Sequence, residues 1–360
     1  MSATVSGTLM APLGRGSTGL WVCAVLLVAA MIGSLAIGPV TIEPGHVLGI
    51  LYDALTGARP SGGKALRDAI IVLDIRLPRM ILGVLVGGSL AVAGVLLQGI
   101  FRNPLADPIF VGVSPGAALA AVAFIVLGGG VVIGASDFIG RFGLVLSAFF
   151  GALTATVVLH QLTVHEGRTS VAALLFTGIA LGALASAGTG ILLFLASDQQ
   201  LREFTFWSFG SLGGATWIKV AMLVPFALLS FVIAGVLAHG LDAIALGEAE
   251  AFHLGVNVER LKRLAIVAVA AGAGGSVAVS GTIGFIGLVI PHLLRLMIGP
   301  SHKKLLIGSA LLGAAILVAA DVGARTVVTP AELPIGVVTA FLGAPFFLWL
   351  LRRYRASLGG

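Results

Sequence analysis

Residues 77–99 read LPRMILGVLVGGSLAVAGVLLQG, an apolar run whose only charge is Arg79 near its start. As a helix this run is about 35 Å long, enough to cross a hydrocarbon core of about 30 Å. At its centre, residues 87–94, GGSLAVAG, recur as residues 274–281, GGSVAVSG. Six of the eight positions are identical at an offset of 187, and Pro104 and Pro291 follow the two copies at the same offset. Glycine and serine at such spacing let helix backbones approach closely inside a membrane. The two copies fall in the second and seventh apolar runs, five helices apart. An odd separation turns the second copy upside down, as in transporters built from inverted repeats. Chance similarity between Gly/Ala-rich membrane segments is the competing reading.

The rest of the chain has the same character. Its 360 residues are 58% hydrophobic and 10% charged, with 51 glycines, whereas soluble domains carry roughly 25% charged residues. That excludes a soluble enzyme, a nucleic-acid-binding domain and a disordered chain, and leaves an all-α polytopic membrane protein forming one domain over 1–360. Ten runs are long and apolar enough to span: about 19–39, 77–99, 111–133, 142–162, 171–196, 217–239, 263–282, 283–298, 304–322 and 335–351. The repeat halves are roughly 77–196 and 263–351. Between runs seven and eight, the glycine-rich stretch 272–287 has no charge to mark the turn. The first run is too long for a typical signal-peptide core and lacks a clear cleavage site, so it counts as a span.

Ten spans put both termini on one side. That side carries Arg15, Arg102, Arg168, Arg260, Lys262, Arg263, Arg295, Lys303, Lys304, Arg352, Arg353 and Arg355. Leaving aside the long 40–76 region and Arg79 just past it, the opposite side has only Arg141, Arg202, Lys219 and Arg325. The positive-inside rule therefore places both termini in the cytoplasm. Trp207 and Trp217 then mark the outer interface, and Trp21 and Trp349 the inner one. Within 40–76, the apolar run 47–55 predicts a short interfacial helix, and 240–262 is the long cytoplasmic loop. Cys23 is the single cysteine, which excludes an intrachain disulfide.

Two stripes of small residues stand out, Gly178, Gly182, Ser186 and Gly190 in the fifth run and Gly272, Ser276, Ser280 and Gly284 in the seventh. Steps of four hold them near one helix face, either for packing or as a smooth wall for a solute. Ionisable groups at mid-depth, which would mark an ion or proton relay, are missing; Asp321 comes nearest. Gly14-Arg-Gly-Ser-Thr-Gly19 has the GxGxxG spacing but follows no strand. Around Ser61-Gly-Gly-Lys64 a P-loop fails, with Ala58 and Ala65 at the required Gly and Ser/Thr positions. No catalytic residue, metal ligand or cofactor site is expected, and either energy comes from elsewhere or the protein is passive.

A set of motifs, in order, resembles a known family. These are Arg76-Leu-Pro-Arg79, Arg102-Asn-Pro-Leu-Ala-Asp-Pro108, Phe206-Trp-Ser-Phe-Gly-Ser-Leu212, Ala245-Leu-Gly-Glu-Ala-Glu250 with Leu254-Gly-Val256, Gly287-Leu-Val-Ile-Pro-His292 with Arg295, Pro330-Ala-Glu-Leu-Pro-Ile-Gly336, and Gly343-Ala-Pro345. Together they resemble the permease subunits of ABC importers for iron–siderophores, haem and vitamin B12, over roughly residues 20–352. The resemblance implies a ten-helix subunit that dimerises in a bacterial inner membrane, with the pathway between the two copies. Two cytoplasmic ATPase subunits would bind ATP and Mg, and a periplasmic binding protein would deliver cargo. No nucleic acid is involved.

Carried over by residue, Ala245, Leu246, Gly247, Glu248, Glu250, Leu254 and Gly255 resemble the coupling segment that docks on the ATPase. In that reading Glu248 and Glu250 stay exposed while Leu246, Phe252 and Leu254 enter a groove. Arg76, Arg79 and Arg325 match arginines that meet glutamates of the binding protein, a role suited to the planar guanidinium. For Arg79, which sits deepest, an arginine snorkelling at the lipid interface is the alternative. Gly178, Gly182, Ser186 and Gly190 match the pathway-lining helix. Residues 205–217 and overall similarity suggest haem or another iron chelate as cargo, with vitamin B12 as the alternative within the class. An ion-coupled secondary transporter is the alternative outside it.

Overall fold

The computed structural model describes residues 15–57, 62–108, 112–128, 137–165, 168–169, 171–328 and 331–358. The end of the expected 111–133 span, Arg59 and Pro330 lie outside them. In chain order the helices are α1 (Arg15–Ala36), α2 (Pro44–Thr56), α3 (Gly63–Ile70), α4 (Leu77–Phe101), α5 (Val113–Leu127), α6 (Asp137–Thr163), α7 (Val171–Phe194), α8 (Asp198–Ser208) and α9 (Trp217–Leu246). Then follow α10 (Glu248–His253), α11 (Val258–Val269), α12 (Gly275–Ser280), α13 (Ile286–Ile298), α14 (His302–Thr326) and α15 (Ile335–Leu358). Two-residue strands, β1 (Val164–His165) and β2 (Arg168–Thr169), pair antiparallel between α6 and α7.

Among the described residues, seven helices are long and apolar enough to cross a membrane, and 113–127, 286–298 and 335–348 are shorter apolar helices. Each of the ten falls on an expected span. The helical solution is dictated by solvent: in hydrocarbon each backbone N–H and C=O must find a partner within the chain. Helix α2 covers the apolar run 47–55. The division between spans seven and eight is a break at 281–285. The chain crosses back and forth between one face holding α2 and α8 and another holding α10.

One boundary differs from expectation. The second span begins at Gly63, and α3 passes through a π-helical stretch (Ile71–Arg76) into α4 without interruption, 39 residues in all. Asp68, Asp74 and Arg76 make this stretch read as a loop. The helix persists because Asp68 is held by Arg67 at 3.1 Å, with His46 at 3.8 Å, and Trp217 Nε1 donates to the Leu73 carbonyl. A second π-helical stretch (Ala270–Gly274) joins α11 to α12.

Helix α4 is the centre of the molecule, buried along nearly its whole length. Its glycines allow this. A Cβ on Gly87 would fall on the Gly313 carbonyl of α14, and one on Gly94 on the Gly287 carbonyl of α13. These two close approaches join the first copy of the repeat to helices that follow the second copy. In the second copy the backbone is different, beginning in the π-helical stretch and ending at Gly281, which has φ 71°. Across the same interface Gln98 donates to the carbonyls of Gly287 and Leu288, and Arg295 donates to Gln98 at 2.5 Å.

Candidate functional site

Three regions hold the residues singled out by sequence. The first is the turn that carries α10. Helix α9 ends at Leu246, and Gly247 turns the chain with φ 142°. A Cβ there would strike the Glu250 carboxylate. At the far end of α10, Gly255 takes φ 81°, with Gly255 N–H donating to Phe252 O and Val256 N–H to Ala251 O. This double bond pattern is a Schellman closure. The six-residue helix is thus bracketed by two glycines that side chains would disfavour. Ala251 faces inward, while Leu246, Phe252 and Leu254 are exposed by 70%, 71% and 64%. Ala245 and Glu250 are exposed too.

Glu248 keeps a partly exposed side chain, as expected, and in addition accepts from Lys262 Nζ at 2.9 Å; Lys262 is itself 2% exposed and lies 3.6 Å from Glu259. A buried ammonium needs a counter-charge, so this pair ties α10 to α11. Nearby, Asp242 in the last turns of α9 accepts from the His302 backbone N–H at 2.8 Å and contacts its ring at 2.7 Å. Both connections hold the α10 turn to helices that cross the bundle.

The second region is the α2 face, where the structure turns all three candidate docking arginines inward. Arg76 donates to the carbonyls of Leu35, Ala36 and Val40. Arg79 forms paired bonds with Asp321 (2.8–3.0 Å) and with Glu332 (3.0 Å). Arg325 donates to Ser34 at 2.5 Å and lies 3.7 Å from Asp321. Their exposures are 3%, 7% and 3%, so none presents a free guanidinium to a partner. The snorkelling alternative for Arg79 fails for the same reason. An arginine near a helix end looks the same in sequence whether it points out or in, and here the demand of buried Asp321 decides.

Beside this cluster three irregular segments interlock. Gly210, Gly281 and Gly336 sit where a Cβ would strike the backbone of Thr282, Trp207 and Phe209, respectively. Ser211 N–H donates to Ser280 O, Ile335 N–H to Gly210 O and Gly336 N–H to Phe209 O. Non-helical backbone at membrane depth is tolerated when protein buries it in this way. The glycines of the FGS and ELPIG motifs are thus explained by packing, a role the motifs alone did not reveal.

The third region surrounds α7. Of its expected stripe, Gly178 is buried, Gly182 half-buried near Pro115, and Ser186 and Gly190 are exposed. The physical reason is drift: each step of four residues turns about 40° past a full circle, so the stripe rotates from the interior to the open side. The open side itself is continuous, with Phe176, Ile179, Leu184, Ile191 and Phe194 all exposed.

Next to its first turns lies a cavity of about 650 Å³, lined by Asn103, Ala106, Asp107, Phe176, Phe285 and Phe347 among others. Two irregular segments supply its wall. One is 102–108, which leaves α4 through a left-handed Arg102 (φ 48°) and brings Asp107 and Pro108 to Gly287. The other is the break at 281–285, where Phe285 holds φ 69°, a conformation costly for a bulky side chain. Gly343 makes room for Phe285, because a Cβ there would come within 2.5 Å of it. Phe285 also borders a second cavity of about 360 Å³ against α14 and α15. Broken helices and irregular backbone around a membrane cavity are where transporters hold cargo. Asp107 modifies the reading that carboxylates avoid the interior: it is 7% exposed and forms part of this wall.

This arrangement matches known proteins. The FecCD transport family model fits residues 26–353. The hemin transport system permease protein HmuU of Yersinia pestis is 44% identical, covering 81% of this chain and 85% of that protein. The cobalamin import system permease protein BtuC of Halobacterium salinarum is 43% identical, covering 79% and 73%. A solved structure described as an inward-facing conformation of a metal-chelate type ABC transporter superposes with a TM-score of 0.80 at 30% identity, covering 94% of this chain and 99% of that one. The chain is a membrane permease, a transport subunit and not a catalytic enzyme, and it belongs to the FecCD transport family.

Proposed function

We propose that the chain is the permease of an ATP-driven importer that carries haem or another iron chelate into the cytoplasm. In this reading two copies sit in a bacterial inner membrane with both termini and the α10 face cytoplasmic. The open side of α7 meets the second copy across the pathway, a binding protein delivers cargo to the α2 face, and separate ATPase subunits supply energy. The observation that carries the reading is the cavity beside α7, walled by Phe176, Phe285 and Phe347 and served by no chain of titratable groups among its named lining residues. Such a wall guides an apolar-faced chelate and does not power its movement. Vitamin B12 stands beside haem as cargo, since relatives named for each are 44% and 43% identical.

Reconstitution in liposomes with ATPase and binding protein tests this. ATP-dependent accumulation of haem or cobalamin is expected. Accumulation on an ion gradient alone, with no ATPase present, would overturn the reading in favour of a secondary transporter.

The α10 turn is the proposed coupling segment, with Leu246, Phe252 and Leu254 as the apolar surface that an ATPase cleft would cover. Glu248 then acts inside the permease, holding Lys262. Lys262→Met is expected to leave the complex assembled but to lower cargo moved per ATP by several-fold, equivalent to about 1–2 kcal/mol of coupling. An unchanged ratio would show that α10 transmits motion without this ion pair.

A further inference from the structure

Between α9 and α14 runs a groove of about 470 Å³ that shares no lining residue with the cavity beside α7. Its floor is Val92 of α4, and its walls include Ala234, Gly235 and Ala238 of α9 with Leu306 and Ala310 of α14. The two helices run in opposite directions, and their lining positions descend together: Phe231 lies at the end holding Leu311, and His239 at the end holding Lys303. Eight residues of helix separate the ends on each wall, about 12 Å. That is most of the depth of one hydrocarbon leaflet, about 15 Å. The groove opens toward the bilayer, because Val232, Val236 and Ile307 on its rims are exposed apolar side chains.

One end of the groove is charged. Lys303 and His239 are exposed there, and among the described residues neither has an ion-pair partner. The neighbouring carboxylate, Asp242, is engaged by His302 and does not neutralise Lys303. Small side chains along an apolar trough one leaflet deep, with a cation at the membrane boundary, match a phospholipid. Its acyl chain would lie on Ala234, Gly235 and Ala238, and its phosphate would meet Lys303.

We propose that this groove is a binding site for an anionic phospholipid of the leaflet on the α10 face. The inference rests on the membrane-spanning fold and not on the cargo or the energy source, so its failure would leave the importer reading intact. A bound lipid would lie against the last turns of α9, one residue from the His302–Asp242 contact that steadies the α10 turn.

Native mass spectrometry of the detergent-purified permease tests the site, using phosphatidylglycerol and phosphatidylcholine with the same acyl chains. Wild type is expected to retain phosphatidylglycerol about fivefold better, the preference that one lysine supplies at an anionic lipid. Lys303→Gln should equalise the two lipids. Gly235→Phe should remove both, because a Cβ at Gly235 meets nothing within 4 Å and the ring can fill the trough without disturbing the helices. Thermal unfolding verifies that both variants fold.

Equal retention of the two lipids by wild type would overturn the proposal, as would phosphatidylglycerol persisting on Gly235→Phe. Displacement of the lipid by inorganic phosphate alone would reduce the site to an anion contact and reject the acyl trough. Loss of the dimer in Gly235→Phe would make the groove an interface between copies and reject it as well.

Discussion

Alanine at Gly94 is expected to destabilise the permease by about 1–3 kcal/mol or more, the cost of overpacking a tight core. The added Cβ would fall on the Gly287 carbonyl, and α4 has no free side to retreat toward, since residues 89–101 are all buried. Separating α4 from α13 would also stretch the bonds from Gln98 to Gly287 and Leu288. Thermal unfolding in detergent measures the loss. Gly235→Ala is the control, the same change inside a helix but with open space around the new Cβ; it should leave unfolding unchanged. If Gly94→Ala behaved like Gly235→Ala, the close α4–α13 crossing would be wrong.

Arg79→Ala should cost more, about 3–5 kcal/mol, because it strands a buried carboxylate. Asp321 is 2% exposed and would keep only Arg325 at 3.7 Å, while Glu332 would lose both of its bonds. Glu332→Gln should have a smaller effect, since that side chain is 41% exposed and water can serve it. Replacing the whole set, with Arg79→Met, Asp321→Leu and Arg325→Met, should recover much of the loss, as apolar groups of similar size often substitute for buried ion pairs. The same unfolding measurement ranks these variants. If Arg79→Ala were no worse than Glu332→Gln, the arginine would not be the centre of the cluster. Lost cargo delivery by a fully stable Arg79→Ala permease would restore this side chain to a docking role.

The spans were legible because the bilayer permits few solutions. A run such as 77–99 has to be helical, and the apolar segment 47–55 next to charged residues marked the short helix α2. The motifs likewise located the α10 turn, the arginines and α7. What they could not supply was the direction of individual side chains. Arg79 and its partners Asp321 and Glu332 lie 242 and 253 residues apart, and nothing local distinguishes an arginine awaiting a carboxylate of its own chain from one awaiting a partner's. The bond from Lys262 to Glu248 was similarly opaque, since its two ends lie fourteen positions apart.

Periodicity misled in a smaller way. Gly178, Gly182, Ser186 and Gly190 look like one face on paper, yet the helix turns them from inside to outside. The cavity wall at 102–108 was visible as a motif but not as structure, because irregular backbone has no repeat to read. A signal was present in Arg102-Asn-Pro-Leu-Ala-Asp-Pro108 all the same: two prolines and an aspartate directly after a membrane helix predict neither a helix nor an ordinary solvent loop.

The burial of α4 also sets a timetable for making the protein. This helix leaves the ribosome well before Gly287, Gly313 and Asp321, which it packs against. At roughly 5–20 residues per second, the 242 residues between Arg79 and Asp321 take on the order of 10–50 s to synthesise. Through that interval the nascent chain holds α4 without its neighbours and Arg79 without its counter-charge.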